Sequence, residues 1–507
     1  MVNRPETVFG PIAQPLSKAH LSPQIDAFYL EVSNPTYSFI LLGIALVVLL
    51  IACTNFMALS VGRSVVRAKE VGTRKALGAS RSQVASQFWG EAVVLSLLAS
   101  TLGLALANMA LPVFNLLADK ELVLSFSAPA ILGVVLLALL VGLLAGAYPA
   151  AILSGMRPSV VLGGGGSGRQ GSTFTRAVIV FQFAAAIALI TTSLIMYRQL
   201  EFVADRDLGF TANEVLVLPL QADDQAALEE YDRFAGLALS SPAIVESSPS
   251  SSAFAGSWSR TVLVENEASH IAYTNYIGPS FLQTMGMDLV EGRNLSSEIK
   301  TDSEHAILVN QALVENLGWE EPIGRSLERW PDVQVVGVVR DFNNLSLHQE
   351  VQPMILHMSE EISAPRYAMV RFRTDQTARA LADLEQAWAL VAPGAAFQPE
   401  FLDQRLQQLY ESERRWQKIA GFAALLAVLI SCLGLFGVLV GVAFLIGSPA
   451  AYFLADRWLE SFAYRWTISP AVFLATFAIA LGVAMVTVSF QAVSAALGDP
   501  TETLRHE

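Results

Sequence analysis

The sequence predicts an α-helical membrane protein of about six or seven spans carrying one large mixed α/β extracytoplasmic domain. Three observations predict it. Of 507 residues 53% are apolar and 15% charged, with a mean hydropathy of +0.47, whereas a soluble chain carries roughly 25% charged residues. Several uncharged apolar runs reach the length of a membrane span. One stretch, 200–416, has ordinary globular composition. Together these exclude a soluble enzyme and argue against a fully embedded channel.

Taken in order, residues 1–36 contain no apolar core and read as an extracytoplasmic tail, neither signal peptide nor anchor. Residues 37–153 form a first three-span unit, with spans at 38–60, 88–117 and 129–153; Asp119, Lys120 and Glu121 part the last two. A Gly-rich linker, 154–175, precedes a span at 176–199, flanked by Arg176 and Arg198. The domain 200–416 follows, then a second, shortened span unit, 417–507, with apolar runs at 419–454 and 470–495. Lysines and arginines near span ends mark the cytoplasmic side. Loop 61–87 holds Arg63, Arg67, Lys69, Arg74, Lys75 and Arg81 against Glu70 alone, which places it inside and the N-terminal tail outside. Counting crossings puts Arg157, Arg169 and Arg176 inside as well, and the large domain outside.

The run 419–454 would extend about 54 Å as one helix, against a hydrocarbon core of about 30 Å. It is either one long helix broken near Gly447-Ser448-Pro449 or a hairpin turning near Gly437–Gly441. The aromatic cluster Trp458, Phe462, Tyr464 and Trp466 suits a membrane–water interface.

Within 200–416, alternating apolar runs predict strands at Glu214–Leu218, Thr261–Val264, Ala306–Val309, Val333–Val339 and Tyr367–Phe372. Helical patterns fall at 223–239, 310–317 and 376–391, and Leu402–Trp416 leads toward the membrane as one helix. The serine-rich stretch 247–260 reads as a surface loop without a partnered histidine. The segment GGGGSGRQGS (163–172) lacks the lysine and hydroxyl of a phosphate-binding loop and reads as a flexible linker. Histidines 20, 270, 305, 348, 357 and 506 show no metal-ligand spacing. Cys53 and Cys432 lie in apolar runs and form no disulfide framework. A net charge of −13 excludes nucleic acid as an expected partner.

A weak internal repeat orders the membrane part. ALVVLLIACTNFMALS (45–60) aligns with ALLAVLISCLGLFGVL (424–439), and AYPAAILSGMRPSVVL (147–162) with SFQAVSAALGDPTETL (489–504). The second copy is shorter and lacks a counterpart of the basic loop. In that loop, AKEVGTRKALGAS (68–80) sets Glu70 and Arg74 four apart, on one helix face. Gly72 and Gly78 imply a turn or close backbone approach. A short helix along the membrane surface, offering charges to a partner, fits the pattern.

EVGTRKALGAS, with SRSQVASQFWGEAVVLSLLAS overlapping its end, resembles the cytoplasmic signature of FtsX/MacB-type ABC-transporter permeases. IGPSFLQTMGMDLVEGRNLS (277–296), VGVVRDFNNLSL (336–347) and FLDQRLQQLYESERR (401–415) resemble that family's periplasmic domain. The resemblance implies a permease subunit in a bacterial inner (cytoplasmic) membrane, its large domain in the periplasm. It is then no enzyme by itself. ATP and Mg are bound by a separate ABC ATPase subunit, and this chain holds no cofactor. Glu70, Val71, Gly72, Arg74, Lys75, Gly78 and Ala79 would form the segment that docks on that ATPase. The resemblance further implies the lipid bilayer, and a second permease or a periplasmic adaptor protein, as partners. Where family members carry a first periplasmic domain, PIAQPLSKAHLSP (11–23) resembles only its tail.

The leading functional reading is export or extraction of an amphipathic substrate such as a peptide, lipoprotein or drug. The alternative from another class is a signalling protein that controls a periplasmic hydrolase or senses a ligand. An ion-coupled transporter needs ionisable groups near mid-membrane, and the centres of these spans carry none.

Overall fold

The structure is a computed structural model that describes residues 35–118, 120–155, 168–222, 225–255, 258–265, 268–359, 364–432 and 439–497. The expected N-terminal tail, most of the Gly-rich linker, the turn near Gly437 and the C-terminal tail lie outside these residues. The chain divides into a helical unit (Met1–Met196, Arg415–Ala455, Ile468–Glu507) and an ectodomain unit (Tyr197–Arg414, Asp456–Thr467).

The helical unit begins with α1 (Pro35–Ala76), α2 (Arg81–Ala118), α3 (Ala128–Gly155) and α4 (Gly168–Ala204). The 42 residues of α1 run about 63 Å, twice a hydrocarbon core. Its apolar part is Phe39–Met57, and the rest continues without a break through the basic segment. This corrects the expected separate surface helix: Gly72 lies inside α1, where the Glu70–Arg74 pair (2.8 Å) spans the turn around it. The linker is corrected too, since the chain is already helical from Gly168.

Helices α2 and α3 pack closely because of Gly142 and Gly146. A Cβ on Gly142 would stand 2.8 Å from the Val93 Cα, and one on Gly146 2.8 Å from the Ala92 Cβ. Small residues four apart let helix backbones approach in lipid, where no hydrophobic drive presses them together. The Ser96 hydroxyl adds a bond to the Ala138 carbonyl (2.8 Å).

The ectodomain starts with β1 (Val215–Pro219), α5 (Gln225–Ala238), β2 (Ile244–Ser250), β3 (Ser259–Glu265) and β4 (Ala268–Tyr276). Then come α6 (Phe281–Met285), β5 (Leu289–Gly292), α7 (Asp302–His305), β6 (Ala306–Asn310), α8 (Gln311–Leu317), β7 (Ser326–Leu327), β8 (Trp330–Val339) and β9 (Met354–His357). It closes with β10 (Tyr367–Phe372), α9 (Thr377–Val391), β11 (Glu400–Phe401) and α10 (Leu402–Gln408).

Two sheets result. The four-stranded one has the order β11-β1-β10-β2 and the seven-stranded one β3-β4-β9-β6-β8-β5, with β7 paired to β8. Read without its insertion, the first is a βαββαβ unit of antiparallel strands, interrupted between β2 and β10 by the whole second sheet. Alternation along β1 builds its two faces. Leu216 and Leu218 meet Phe234 and Trp388 under α5 and α9, while Val215 and Val217 join Leu308, Leu356 and Met369 in a core that draws on both sheets. Phe254 lies in that core, 4.8 Å from Phe210 and 5.4 Å from Trp258 between ring centroids. The outer face of the second sheet packs Ile307, Val309 and Val335 against Leu313 of α8.

The expected strands and helices of this domain are present within a few residues of their predicted ends. Residues 247–250 are the exception: they belong to a strand, not a surface loop. Ser247, Ser248, Ser250 and Ser252 are buried. Burial of the first three is tolerated because their hydroxyls find carbonyl partners, Ser247 at Met369 (3.2 Å), Ser248 at Pro249 (3.3 Å) and Ser250 at Ser252 (2.7 Å), whereas the Ser252 hydroxyl finds none among the described residues. The helix expected over Leu402–Trp416 is also corrected, because it breaks at Leu409-Tyr410 between α10 and α11 (Glu411–Cys432).

The run 419–454 is divided between α11 and α12 (Leu439–Leu459), and α12 passes through Pro449 unbroken. The chain leaves the ectodomain unit at Arg414, returns at Asp456 and leaves again at Thr467 for α13 (Pro470–Leu497). Helices α11 and α12 therefore lie in sequence between two stretches of the ectodomain unit. Within the helical unit, α4 is the most enclosed helix. Ile179, Phe183 and Ile187 pack on Val440 and Ala443 of α12 and Ala480 and Ala484 of α13. Ala186 meets Ile51 of α1 and Ala427 of α11. Buried Gln182 of α4 donates to the Ile51 carbonyl (3.2 Å) and to Thr54 Oγ1 (2.9 Å). Among the described residues four helices are long and apolar enough to cross a membrane, and Pro470–Val486 is a shorter apolar helix. That is fewer than the six or seven expected.

The three ectodomain cores close within the ectodomain segment itself, so residues 197–414 expressed alone are expected to give a mixed α/β circular-dichroism spectrum and cooperative urea unfolding. A random-coil spectrum would overturn this. In that fragment, Arg293→Ala strips the bidentate partner (2.6 and 2.8 Å) from the buried Asp302 carboxylate. A loss of about 2–3 kcal/mol is expected, the low end for a buried pair because Arg293 is half-exposed; an unchanged urea midpoint would refute it.

A second prediction concerns His357, whose burial lowers its pKa to about 4 against a weaker opposing hydrogen bond at the Ser359 backbone. Between the unfolded value of about 6.5 and the folded one, the unfolded chain binds a proton the folded chain does not. Its contribution is therefore full above pH 6.5 and lost as pH falls toward 4, about 3 kcal/mol in all. The stability difference between wild type and His357→Gln should change by that amount from pH 7 to pH 4; a difference flat with pH would contradict the assignment.

Candidate functional site at the tip of the helical unit

The basic segment forms the turn between α1 and α2. Leu77 N–H donates to the Thr73 carbonyl (3.0 Å), Gly78 N–H to Lys75 (3.1 Å) and Ala79 N–H to Arg74 (3.0 Å), closing the end of α1. Gly78 takes φ of +101°, a conformation a Cβ would strain, so glycine is required at this position. Helix α2 then opens with a capping box. The Ser80 N–H donates to Gln83 Oε1 (2.9 Å) and the Gln83 N–H to Ser80 Oγ (3.3 Å).

Cross-links hold the two helices in register beyond the turn. Arg67 donates to Glu91 (2.6 Å), and Arg74 reaches both Gln87 (2.6 Å) and Glu70 (2.8 Å). The Gln87 amide donates to Glu91 in turn (3.1 Å). The Lys75 ammonium donates to the Ser154 carbonyl near the end of α3. Burial there, reinforced by the charge of Arg81, lowers its pKa. The result is a stiff, cation-rich projection supported by three helices.

The seven residues singled out from sequence come together here but do not all face outward. Glu70 and Arg74 are exposed and paired, while Val71 and Gly72 are buried. Lys75 and Ala79 are half-buried, and Gly78 is the turn. Sequence reasoning passed over the residue that projects most: Leu77, apolar and 84% exposed among charged neighbours. It also missed Gln87 and Glu91, which brace the projection; the sequence Ser80-x-x-Gln83 was the available signal that α2 starts so close to Gly78. Among the described residues no group of three His, Cys, Asp or Glu could hold a metal ion.

An apolar helical unit with a braced cationic tip and a two-sheet α/β ectodomain fits a membrane permease. Residues 37–158 match the family described as FtsX-like permease C-terminal. Residues 131–396, more than half of the chain, match the MacB-like periplasmic core domain. The chain belongs to the FtsX/MacB-type permease family. It is similar to the macrolide export ATP-binding/permease protein MacB of Escherichia coli, 28% identical over 164 residues, 31% of this chain and 25% of that protein. It is also similar to the uncharacterized ABC transporter permease YknZ of Bacillus subtilis, 34% identical over 108 residues, 21% of this chain and 26% of that one. The matched segments thus span about a quarter of these relatives. Among solved structures, the periplasmic region of MacB from Actinobacillus actinomycetemcomitans aligns at 16% identity and a TM-score of 0.30, covering 41% of this chain and 97% of that one.

Proposed function

We propose that this chain is the permease subunit of an ABC transporter in a bacterial inner membrane, and that it couples ATP hydrolysed by a separate subunit to motion of its periplasmic domain. The braced tip around Gly78 carries the proposal. A projection cross-linked at Arg67–Glu91, Arg74–Gln87 and Lys75–Ser154 transmits force without bending, and it ends in an exposed leucine suited to an apolar groove on a partner. The ATPase subunit binds ATP and Mg; this chain supplies Glu70–Ala79 as the docking segment. Leu77 is the central anchor, with Arg74 and Lys75 as flanking charges. An apolar side chain ringed by charged ones matches the apolar core and polar rim of protein interfaces.

In this reading the chain crosses seven times, through α1–α4 and α11–α13, so that the basic tip faces the cytoplasm and Asp456–Thr467 faces the periplasm. Among the described residues the buried polar side chains of the helical unit are Asn55, Gln182, Thr191, Ser193 and Thr476, none of them acidic or basic, which favours mechanical coupling over ion-coupled transport. The substrate class is an amphipathic molecule taken up on the periplasmic side, a peptide, lipoprotein or drug, with a second permease or an adaptor completing the assembly.

Leu77→Asp should weaken copurification of the ATPase subunit by at least about tenfold, the loss of one interface anchor, and Arg74→Glu should uncouple hydrolysis with less effect on binding. Insertion is kept because Arg63, Lys69 and Arg81 remain in the loop. Full ATPase capture by Leu77→Asp would sink the docking assignment. Sidedness is tested in a chain with Cys53 and Cys432 replaced by alanine. An impermeant maleimide applied to intact cells should label Arg457→Cys and reach Leu77→Cys only after permeabilisation; the reverse pattern would overturn the topology.

A further inference from the structure

The returning segment Asp456–Thr467 belongs to the ectodomain unit. It is bound to the ectodomain unit by two independent sets of contacts. At the first, Gln199 near the end of α4 is fully buried, and its amide pairs with the segment's backbone as a neighbouring strand would. Its Nε2 donates to the Tyr464 carbonyl (2.8 Å), and the Trp466 N–H donates to its Oε1 (2.6 Å). Seven residues further along, just past the end of α4, Arg206 sets its guanidinium 3.8 Å over the Tyr464 ring.

At the second, the His348 ring stacks on Phe462 with centroids 3.9 Å apart, and on Tyr410 at 6.1 Å. Ser346 Oγ holds His348 Nδ1 (2.7 Å), and the Leu347 N–H donates to the Tyr410 hydroxyl (2.6 Å). Phe462, Leu200, Val203, Leu347 and Tyr410 close a small core of their own. Behind it lies a cavity of about 110 Å³, bordered by Leu200, Val203, Leu347, Leu406 and Tyr410. Phe462 is buried in that small core, so the segment is held by one apolar anchor and by the Gln199 hydrogen-bond pair.

We propose that Gln199 is a positioning residue. With the His348–Phe462–Tyr410 stack it forms a clasp that makes the α12–α13 connection a fixed part of the ectodomain base. The chain joins the ectodomain covalently at Tyr197 and Arg414; the clasp adds a third, non-covalent joint, through which displacement of α12 and α13 reaches the same domain. The coupling role rests on the permease reading above; the attachment does not. A glutamine is required because one side chain must both donate to the Tyr464 carbonyl and accept from the Trp466 N–H, two residues apart on an irregular stretch of backbone. Apolar substitutes of equal length supply neither bond, and a glutamate supplies only the acceptor.

The test is hydrogen exchange of the full chain in detergent micelles, followed on peptides covering 460–468. Gln199→Met and Gln199→Glu should each speed exchange there by at least about tenfold, the opening of a local bond set, while β1, β6 and β10 stay as protected as in wild type. Phe462→Ala, which spares Gln199, should give a smaller increase in the same peptides. Wild-type protection in both Gln199 variants would overturn the clasp, and so would a loss of protection spread over the whole ectodomain. A second readout uses the complex with the ATPase subunit that copurifies. Addition of ATP and vanadate should change exchange at the ectodomain base in wild type and change it less in Gln199→Met. An equal change in both would overturn the coupling role while leaving the attachment standing. Failure of any ATPase to copurify would refute the permease reading and the coupling role with it, and the first readout would still decide the attachment.

Discussion

Hydrocarbon offers no hydrogen-bond partner, and the membrane half of this protein follows from that single constraint. The chain can cross only as helices, and a polar side chain placed between them must find its partner on a neighbouring helix. Gln182 shows the consequence. It lies on the most enclosed helix and reaches the Ile51 carbonyl and the Thr54 hydroxyl of α1, which fixes α4 against the first three-helix set. On another side the same helix packs alanines and phenylalanine against α12 and α13. Thus α4 holds the two repeats together, and it is also the helix that continues into the ectodomain as far as Ala204.

Much of this was legible in the sequence, and the exceptions share physical causes. Hydropathy located the apolar runs because span length is set by the bilayer and not by neighbours. Strand β10 matched its predicted ends because YAMVRF is continuously strand-favouring. Strand β2 was misread because IVESSPS carries polar side chains whose bonds to the Met369 carbonyl and within the loop appear only after folding. The partner of the aromatic segment 456–467 was illegible for the same reason: composition gives an affinity for interfaces, and only the fold brings Gln199, 265 positions away, to the Tyr464 carbonyl.

The tip illustrates a different limit. Sequence pattern identified the right segment, since a basic run after a span, with Glu70 and Arg74 four apart, is a local signal. It could not say which members face outward. Val71 and Gly72 turn inward, Arg74 and Lys75 are engaged in bracing, and Leu77 is left to project. A helix face is decided by what packs on the other side, and here that is α2 and α3, contributed by sequence further along the chain.

The interrupted βαββαβ unit has a consequence for how the domain is made. Strand β1 pairs with β10 and β11 and not with β2, so its partners lie about 150 residues downstream, beyond the entire second sheet. At a synthesis rate of roughly 5–20 residues per second, β1 waits on the order of ten to thirty seconds for its first neighbour. The seven-stranded sheet, by contrast, is complete once β9 has emerged, and every strand in it pairs within the insertion. The order of assembly is thereby set: the inserted lobe closes first, and the lobe that begins the domain closes last. Until then β1, apolar on both faces, presents open edges of the kind that recruit foreign strands. The newborn domain is therefore most vulnerable to aggregation at its beginning.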